Sequence, residues 1–225
     1  MRWADSARVR RVVLQIHQMP DTFAATGLAC IRGERIVFEH LDFEVAAGGA
    51  LLLRGPNGAG KSTLLRLCAA FLQPAAGELT WNGRPIQADL DGHRNRLAWV
   101  GHLDAVKPAF TVEDNIAFWA ALAPPRPMTL TPSEYLQPMG LAHLADLPAA
   151  YLSAGQRRRL NLSRLAVAAG SLWLLDEPTS SLDDASTNAL MTMIEIHRDA
   201  GGMAVIATHQ DLPLENAHTL RIGAP

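Results

Sequence analysis

The residues with the clearest chemistry lie between positions 55 and 63, in a stretch rich in glycine. Positions 55 to 62 match the phosphate-loop pattern G-x-x-x-x-G-K-[ST]. Glycine allows the backbone to approach a phosphate group closely and to direct its N–H groups toward it. Lys61 can reach the β- and γ-phosphates of a nucleotide, and the hydroxyl of Ser62 can bind Mg²⁺. The residues predicted to bind the nucleotide here are Gly55, Pro56, Asn57, Gly58, Ala59, Gly60, Lys61, Ser62 and Thr63.

An acidic pair is the second candidate for chemistry. Asp176 and Glu177 follow the apolar run 172–175, which is typical of a strand buried on both faces. Asp176 can hold the metal ion, and Glu177 can accept a proton from an attacking water molecule. The alternative interpretation is an acidic helix cap or turn. The phosphate loop favours the first interpretation, because ligands of α/β sheets bind at the carboxyl ends of the strands.

A second anion site is predicted where another helix begins. Ser153, Ala154, Gly155 and Gln156 open this helix, and a helix N-terminus attracts anions through its N–H groups and its dipole. A single nucleotide rarely needs two phosphate clamps from one chain.

Hydrophobic patterns predict the elements that position these groups. The run 51–53 predicts a strand that leads into the phosphate loop, and a helix should follow the loop. The apolar face of that helix would comprise Leu64, Leu65, Cys68, Phe71 and Leu72. Strands are predicted at 23–31, 36–45, 50–54, 78–82, 97–100, 172–175 and 203–207, with a tight turn at Asn82 and Gly83. Helices are predicted at about 111–122, from 131, from 153 to Gly170 and at 184–200, with a proline-rich break at 124–127.

Composition indicates a globular chain, because 48% of its 225 residues are hydrophobic and only 19% are charged. The net charge of −2 provides no basic field, so we expect no nucleic-acid partner. Two distant cysteines and scattered histidines predict neither a disulfide framework nor a metal cluster. No stretch is long and apolar enough for a membrane span. Residues 1–22 are expected to form a poorly ordered N-terminal extension, and residues 23–225 the folded domain.

In combination, these motifs resemble those of the ATP-binding cassette (ABC) ATPases over about residues 23–222. The matching motifs are the Walker A motif at 55–62, the signature at 152–156, the Walker B motif at 172–176 followed by Glu177, the D-loop at 181–183 and the switch histidine His209. The resemblance implies an α/β fold: a P-loop NTPase core with an antiparallel β subdomain and an inserted helical subdomain at about 103–154.

The same resemblance implies the cofactors and the roles of the site residues. ATP and Mg²⁺ would be the cofactors, with Glu177 and His209 as catalytic residues and Ser62 and Asp176 as metal ligands. Members of the family work as head-to-tail dimers in which ATP lies between the phosphate loop of one chain and the signature of the other, and this chain would form such a homodimer. The residues at 153–156 would then contact the nucleotide held by the partner.

Three positions depart from the common family pattern. Ala154 stands where glycine is commonest, and its backbone N–H remains available. Gly101 and His102 stand where a glutamine usually ends the strand before the helical subdomain. Arg32 and Gly33 lie near the place of the aromatic residue that usually stacks on adenine, and an arginine plane can stack on a base.

The Gly-His pair and the Ser-Ala-Gly-Gln form resemble the ATP-binding subunits of haem exporters in cytochrome c maturation. That resemblance implies haem handling for c-type cytochromes, a membrane-embedded CcmB-like permease subunit and a peripheral location at the cytoplasmic face of the bacterial inner membrane. One alternative is an exporter of another cargo, such as a drug or a lipid. A non-transport cassette protein usually carries two cassettes or a long coiled-coil insertion, and 225 residues hold neither. A module that binds ATP without hydrolysing it is disfavoured by the intact catalytic motifs.

An apolar group in the predicted helical subdomain has two interpretations. Its side chains could form the core of the subdomain, which is the favoured interpretation, or they could face a membrane partner. The group consists of Phe110, Val112, Ile116, Phe118 and Trp119.

Overall fold

The computed structural model describes residues 21–123, 131–168 and 170–223. The predicted proline break at 124–127 and all but the last two residues of the predicted extension at 1–22 lie outside these ranges. Within them the fold is α/β, with one parallel sheet, one antiparallel sheet and helices that cover both, as the sequence predicted.

The parallel sheet carries the residues with chemistry at the carboxyl ends of its strands. Its strands are β3 (Ala50–Arg54), β6 (Leu97–Val100), β7 (Leu172–Asp176), β8 (Met203–Ala207) and β9 (Ala217–Arg221). They lie in the order β6-β7-β8-β3-β9, and all neighbours are parallel. The phosphate loop, the acidic pair and the segment at His209 therefore lie at the same end of the sheet, where they follow the carboxyl ends of three adjacent strands.

The antiparallel sheet has the order β2-β1-β4-β5. Its strands are β1 (Thr22–Arg32), β2 (Arg35–Ala46), β4 (Ala76–Trp81) and β5 (Arg84–Pro85). Asn82 and Gly83 join β4 to β5 with φ angles of 52° and 72°. Two consecutive positive φ angles are typical of a type I′ hairpin turn, which confirms the tight turn predicted at these residues.

Six α-helices lie within the described residues, and side-chain caps explain where five of them begin, three through a capping box and two through Asp89 and Asp183. Ser153, Thr111 and Thr131 each cap a helix with a reciprocal pair of hydrogen bonds to the residue three positions later. The helices are α1 (Lys61–Cys68), α2 (Leu90–Asn95), α3 (Val112–Leu122), α4 (Pro132–Leu136), α5 (Ala154–Val167) and α6 (Asp184–Asp199).

The parallel sheet separates two hydrophobic clusters, which explains the near-continuous apolar runs of its strands. In β7, Leu172 and Leu174 pack toward the antiparallel sheet and α1, whereas Trp173 and Leu175 pack toward α3, α5 and α6. Five apolar residues of the predicted helical subdomain were expected either to form its core or to face a membrane partner. Of these, Val112 and Ile116 are fully buried, in the cluster on the side of α3, α5 and α6. Phe118 and Trp119 are partly buried, and Phe110 is 38% exposed.

Two predicted helix ends were wrong. Helix α1 ends at Cys68, so Phe71 and Leu72 do not extend its apolar face. The N–H of Phe71 donates to the carbonyl of Arg66, and the N–H of Ala70 donates to Leu67. Ala70 has a φ of 54°, so this is a Schellman ending with alanine where glycine is usual.

Helix α5 ends at Val167 and not at Gly170. A Cβ atom at Gly170 would lie 2.6 Å from the carbonyl carbon of Leu97, so this glycine permits a close approach to β6 and does not end the helix. Strand β9 has no counterpart among the predicted strands. It lies at the edge of the sheet, and its five residues are exposed or only partly buried, so they lack a buried apolar run.

Candidate active site

The phosphate loop presents backbone N–H groups and one buried lysine. Gly60 precedes α1 and provides no side-chain cap, and the first turn of the helix carries no acidic residue. The N-terminal N–H groups of α1 therefore remain available to an anion. Lys61 is 7% exposed, and its Nζ donates to the carbonyls of Gly55 (2.8 Å) and Pro56 (3.2 Å). Its ammonium group thus lies within the curve of the loop.

Glycine is required at both ends of the loop for steric reasons. Gly55 has a φ of 151°, and a Cβ atom there would lie 2.2 Å from the carbonyl oxygen of Ile222. Gly60 has a φ of 109°, and a Cβ atom there would lie 2.5 Å from Cγ1 of Val37. Contacts this short do not occur without displacement of the backbone or its neighbours, so the antiparallel sheet and the segment after β9 fix the position of the loop.

Ser62 and Asp176, the two metal ligands proposed from the sequence, meet at the start of α1. The hydroxyl of Ser62 donates to Oδ1 of Asp176 at 3.0 Å, and Asp176 is 6% exposed. Mg²⁺ prefers oxygen ligands and usually takes one or two from the protein, with phosphate oxygens and water completing its shell. The two side chains fit that requirement.

Glu177 and His209 lie side by side, although 32 residues separate them in the chain. Nδ1 of His209 lies 2.9 Å from Oε2 of Glu177. The side chain of Glu177 is 18% exposed and that of His209 is 62% exposed, so the carboxylate lies beneath the imidazole. The backbone N–H of Glu177 donates to the carbonyl of Ala207 at 2.9 Å, which continues the pairing of β7 with β8.

An open cleft of about 450 Å³ lies over the phosphate loop. Arg32, which the sequence suggested for contact with the base, lines it together with Arg35 and Val37 from the hairpin between β1 and β2. Sequence reasoning missed the last two; the signal was their position directly after the turn at Gly33. The remaining lining residues are Asn57, Gly58, Gly60, Lys61, Ser62, Thr63 and Glu177.

The second predicted clamp is at the N-terminus of α5, and none of its four residues lines this cleft. A capping box occupies two of its N–H groups. Gln156 N–H donates to Oγ of Ser153 at 3.2 Å, and Ser153 N–H donates to Oε1 of Gln156 at 2.8 Å. Of the four N–H groups expected to serve an anion, those of Ala154 and Gly155 therefore remain without an acceptor in the described part of the chain.

Comparison with known proteins agrees with this geometry. The family model described as ABC transporter matches residues 38–180. A cytochrome c biogenesis ATP-binding export protein CcmA from Rhodospirillum rubrum is 51% identical over 205 residues, which cover 91% of this chain and 87% of the relative. A protein of the same name from Pseudomonas aeruginosa is 40% identical, with 89% and 98% of the two chains covered.

Solved structures support the same fold. A putative ABC transporter ATP-binding protein from Pyrococcus furiosus superimposes with a TM-score of 0.77 at 22% identity, over 89% of this chain and 97% of that chain. Among the described residues, no helix is long and apolar enough to cross a membrane. The chain belongs to the ABC transporter family and, within it, to the family of cytochrome c biogenesis ATP-binding export proteins named CcmA.

Proposed function

We propose that this chain is the ATP-hydrolysing subunit that energises a membrane complex for haem export or handling in c-type cytochrome biogenesis. ABC ATP-binding proteins are ATPases, so its enzyme class follows from its family. The observation that most directly supports ATP hydrolysis is the contact between Glu177 and His209 beside a phosphate loop. The names of the relatives support the cytochrome c role.

The phosphate loop and Lys61 would bind and orient the nucleotide. The available N–H groups at the start of α1 and the ammonium of Lys61 supply positive charge where the phosphates carry negative charge. Ser62 and Asp176 would hold Mg²⁺, which when bound neutralises phosphate charge. Arg32 and Arg35 offer guanidinium planes for contact with the base.

Glu177 would act as the general base. Its carboxylate lines the cleft, so it can accept a proton from a water molecule directed at the γ-phosphate. His209 lies against the outer side of that carboxylate and would keep Oε2 in position.

The cleft also supports a composite site between two copies of the chain. It is open, and Ser153, Ala154, Gly155 and Gln156 do not line it. In a homodimer, the N–H groups of Ala154 and Gly155 would place partial positive charge beside the γ-phosphate that the partner copy holds. As an ABC transporter ATP-binding subunit, the chain works with a membrane permease. We propose that this permease is CcmB-like and holds the ATPase at the cytoplasmic face of the inner membrane.

Replacing Glu177 tests the proposed hydrolysis. Glu177→Gln should bind ATP as tightly as the wild type and lose about 10²–10⁴-fold in the rate of hydrolysis, because a positioned general base contributes that much. Glu78→Gln, the same change at an exposed position on β4, is the matched control and should leave the rate unchanged. A wild-type rate in Glu177→Gln would refute the assignment of the base.

The cargo requires a separate experiment. The complex of this chain with its membrane partner, reconstituted in vesicles, should show ATPase activity that haem stimulates. An exporter of another cargo is the second candidate, and stimulation by a drug-like compound or a lipid without any response to haem would favour it.

A further inference from the structure

Arg158 is a buried cation that belongs to none of the sequence motifs of the site. It lies on α5, five residues after the cap Ser153, and it is 4% exposed. Each of its two terminal nitrogens donates to two acceptors, so all four terminal hydrogens of the guanidinium are engaged. Such a fork fixes the relative positions of the groups that it contacts.

One side of the fork holds the end of β7. Nη2 of Arg158 donates to the carbonyl of Glu177 at 2.8 Å and to the carbonyl of Asp176 at 3.3 Å. These two peptide units carry the proposed metal ligand and the proposed base. The cation therefore contacts the backbone of both acidic residues and leaves the carboxylate of Asp176 to Ser62 and that of Glu177 to His209.

Glu177 needs such support because its backbone has a left-handed conformation. Its φ is 46°, a value that residues other than glycine adopt only when their surroundings impose it. The N–H is held by Ala207, and the side chain contacts His209. The carbonyl accepts from Arg158 and from the N–H of Ser180. Of these hydrogen bonds to the backbone of Glu177, only the one from Arg158 comes from a charged group.

The other side of the fork holds the segment that follows β6. Nη1 donates to the carbonyl of Gly101 at 3.1 Å and to Oδ1 of Asp104 at 3.2 Å. Asp104 also accepts from Asn161, one turn further along α5, at 3.2 Å. Arg164, a further turn along, donates to the carbonyl of Trp99. One face of α5 thus fastens the segment from Trp99 to Asp104, and Arg158 joins that segment to Glu177.

We propose that Arg158 is a positioning residue for ATP hydrolysis, which holds the peptide of Glu177 in its left-handed conformation and at a fixed distance from the segment after β6. The proposal rests on the assignment of Glu177 as general base. Lysine can replace the charge of Arg158, but its single nitrogen cannot span acceptors on both sides of the fork. The peptide of Glu177 would then be held less firmly, and its side chain would be displaced within the cleft.

Arg158→Lys in the full chain is the direct test. We expect kcat for ATP hydrolysis to fall about 10- to 100-fold, because a displacement of about 1 Å at a catalytic group has an effect of that size. The KM and the Kd for ATP should stay near their wild-type values, because Arg158 does not line the cleft.

A matched control separates catalysis from stability. Arg198 on α6 is 8% exposed and makes the same kind of contacts, to the carbonyls of Gly48 and Glu215 and to the carboxylate of Glu195. Gly48 precedes β3, so these contacts lie at the amino-terminal ends of the strands, whereas the cleft lies at their carboxyl ends. Arg198→Lys should lower the denaturation midpoint as Arg158→Lys does, and it should leave kcat unchanged.

A double variant tests whether Arg158 acts through Glu177. In the Glu177→Gln background, adding Arg158→Lys should not lower the residual single-turnover rate further, because residues that act as a unit are non-additive. An unchanged kcat in Arg158→Lys, an equal loss in both backgrounds, or an equal loss in Arg198→Lys would overturn the proposal. Wild-type activity in Glu177→Gln would instead refute the proposed base itself.

A milder variant keeps the test decisive if Arg158→Lys does not fold. Asp104→Asn removes the charge opposite Arg158 from a partly exposed position and leaves the four donors in place. It should lower kcat in the same direction by a smaller factor, with the KM for ATP unchanged. Wild-type kcat in Asp104→Asn would then count against the proposal.

Discussion

Replacing Gly60 by alanine tests whether the antiparallel sheet sets the position of the phosphate loop. The added Cβ would lie 2.5 Å from Cγ1 of Val37 and 3.2 Å from Cδ1 of Phe38, in a backbone with a φ of 109°. The unfavourable φ costs about 1–2 kcal/mol, and forcing a methyl group into a packed contact costs a further 1–3 kcal/mol or so. We expect a total loss of about 2–5 kcal/mol in the free energy of unfolding.

Gly58 provides the matched control. Its φ is 80°, and a Cβ atom there meets nothing within 4 Å, so Gly58→Ala should show only the cost of the backbone conformation, about 1–2 kcal/mol. Urea denaturation of both variants gives the difference, which isolates the contact with β2. Adding Val37→Ala to Gly60→Ala should recover part of that difference because it removes Cγ1. Equal losses in Gly60→Ala and Gly58→Ala would refute the reasoning.

The remaining predictions concern the dimer and acid stability. Mixing Lys61→Ala chains with Gly155→Asp chains in a Glu177→Gln background should restore ATP trapping at one site per mixed dimer; mixed dimers that trap no more than either homodimer would refute the composite site. Gly155 has room for a Cβ atom, whose nearest neighbour would be the carbonyl oxygen of Ser181 at 3.4 Å. Burial lowers the pKa of His93 and of His197. The unfolded chain therefore takes up these protons first, and stability should fall as the pH drops below about 6.5, with a shallower fall in His93→Gln and in His197→Gln; an unchanged slope in both variants would contradict this.

The central parallel strands could be predicted well because one requirement determines their sequences. A strand buried on both faces must be apolar throughout, and β3, β6 and β8 have the predicted bounds. The phosphate loop and the acidic pair could be found for a similar reason, since close backbone approach and carboxylate chemistry each restrict the residue type. By contrast, the end of α1 depends on Ala70 in a left-handed conformation, for which alanine gives no signal.

Arg158 shows why part of the site could not be predicted. Arginine in a helix usually indicates an exposed face, and its neighbours Arg157 and Arg159 are both more exposed than it is. Its acceptors are backbone carbonyls at the ends of two strands, and a carbonyl is present at every residue. Periodicity and residue type therefore carry no information about this contact. It becomes visible only when the strand order places the segment after β6 beside the end of β7.

The order of the strands also governs when a nascent chain can acquire its site. β3 and the phosphate loop are synthesised before β8 and β9, the two neighbours of β3 in the sheet, which follow all the other described strands along the chain. Until then β3 has two unpaired edges, and Gly55 lacks its contact with Ile222. Unpaired apolar strands promote aggregation. The emerging polypeptide would therefore depend on chaperones until β8 and β9 have been synthesised, and nucleotide binding would not precede that point.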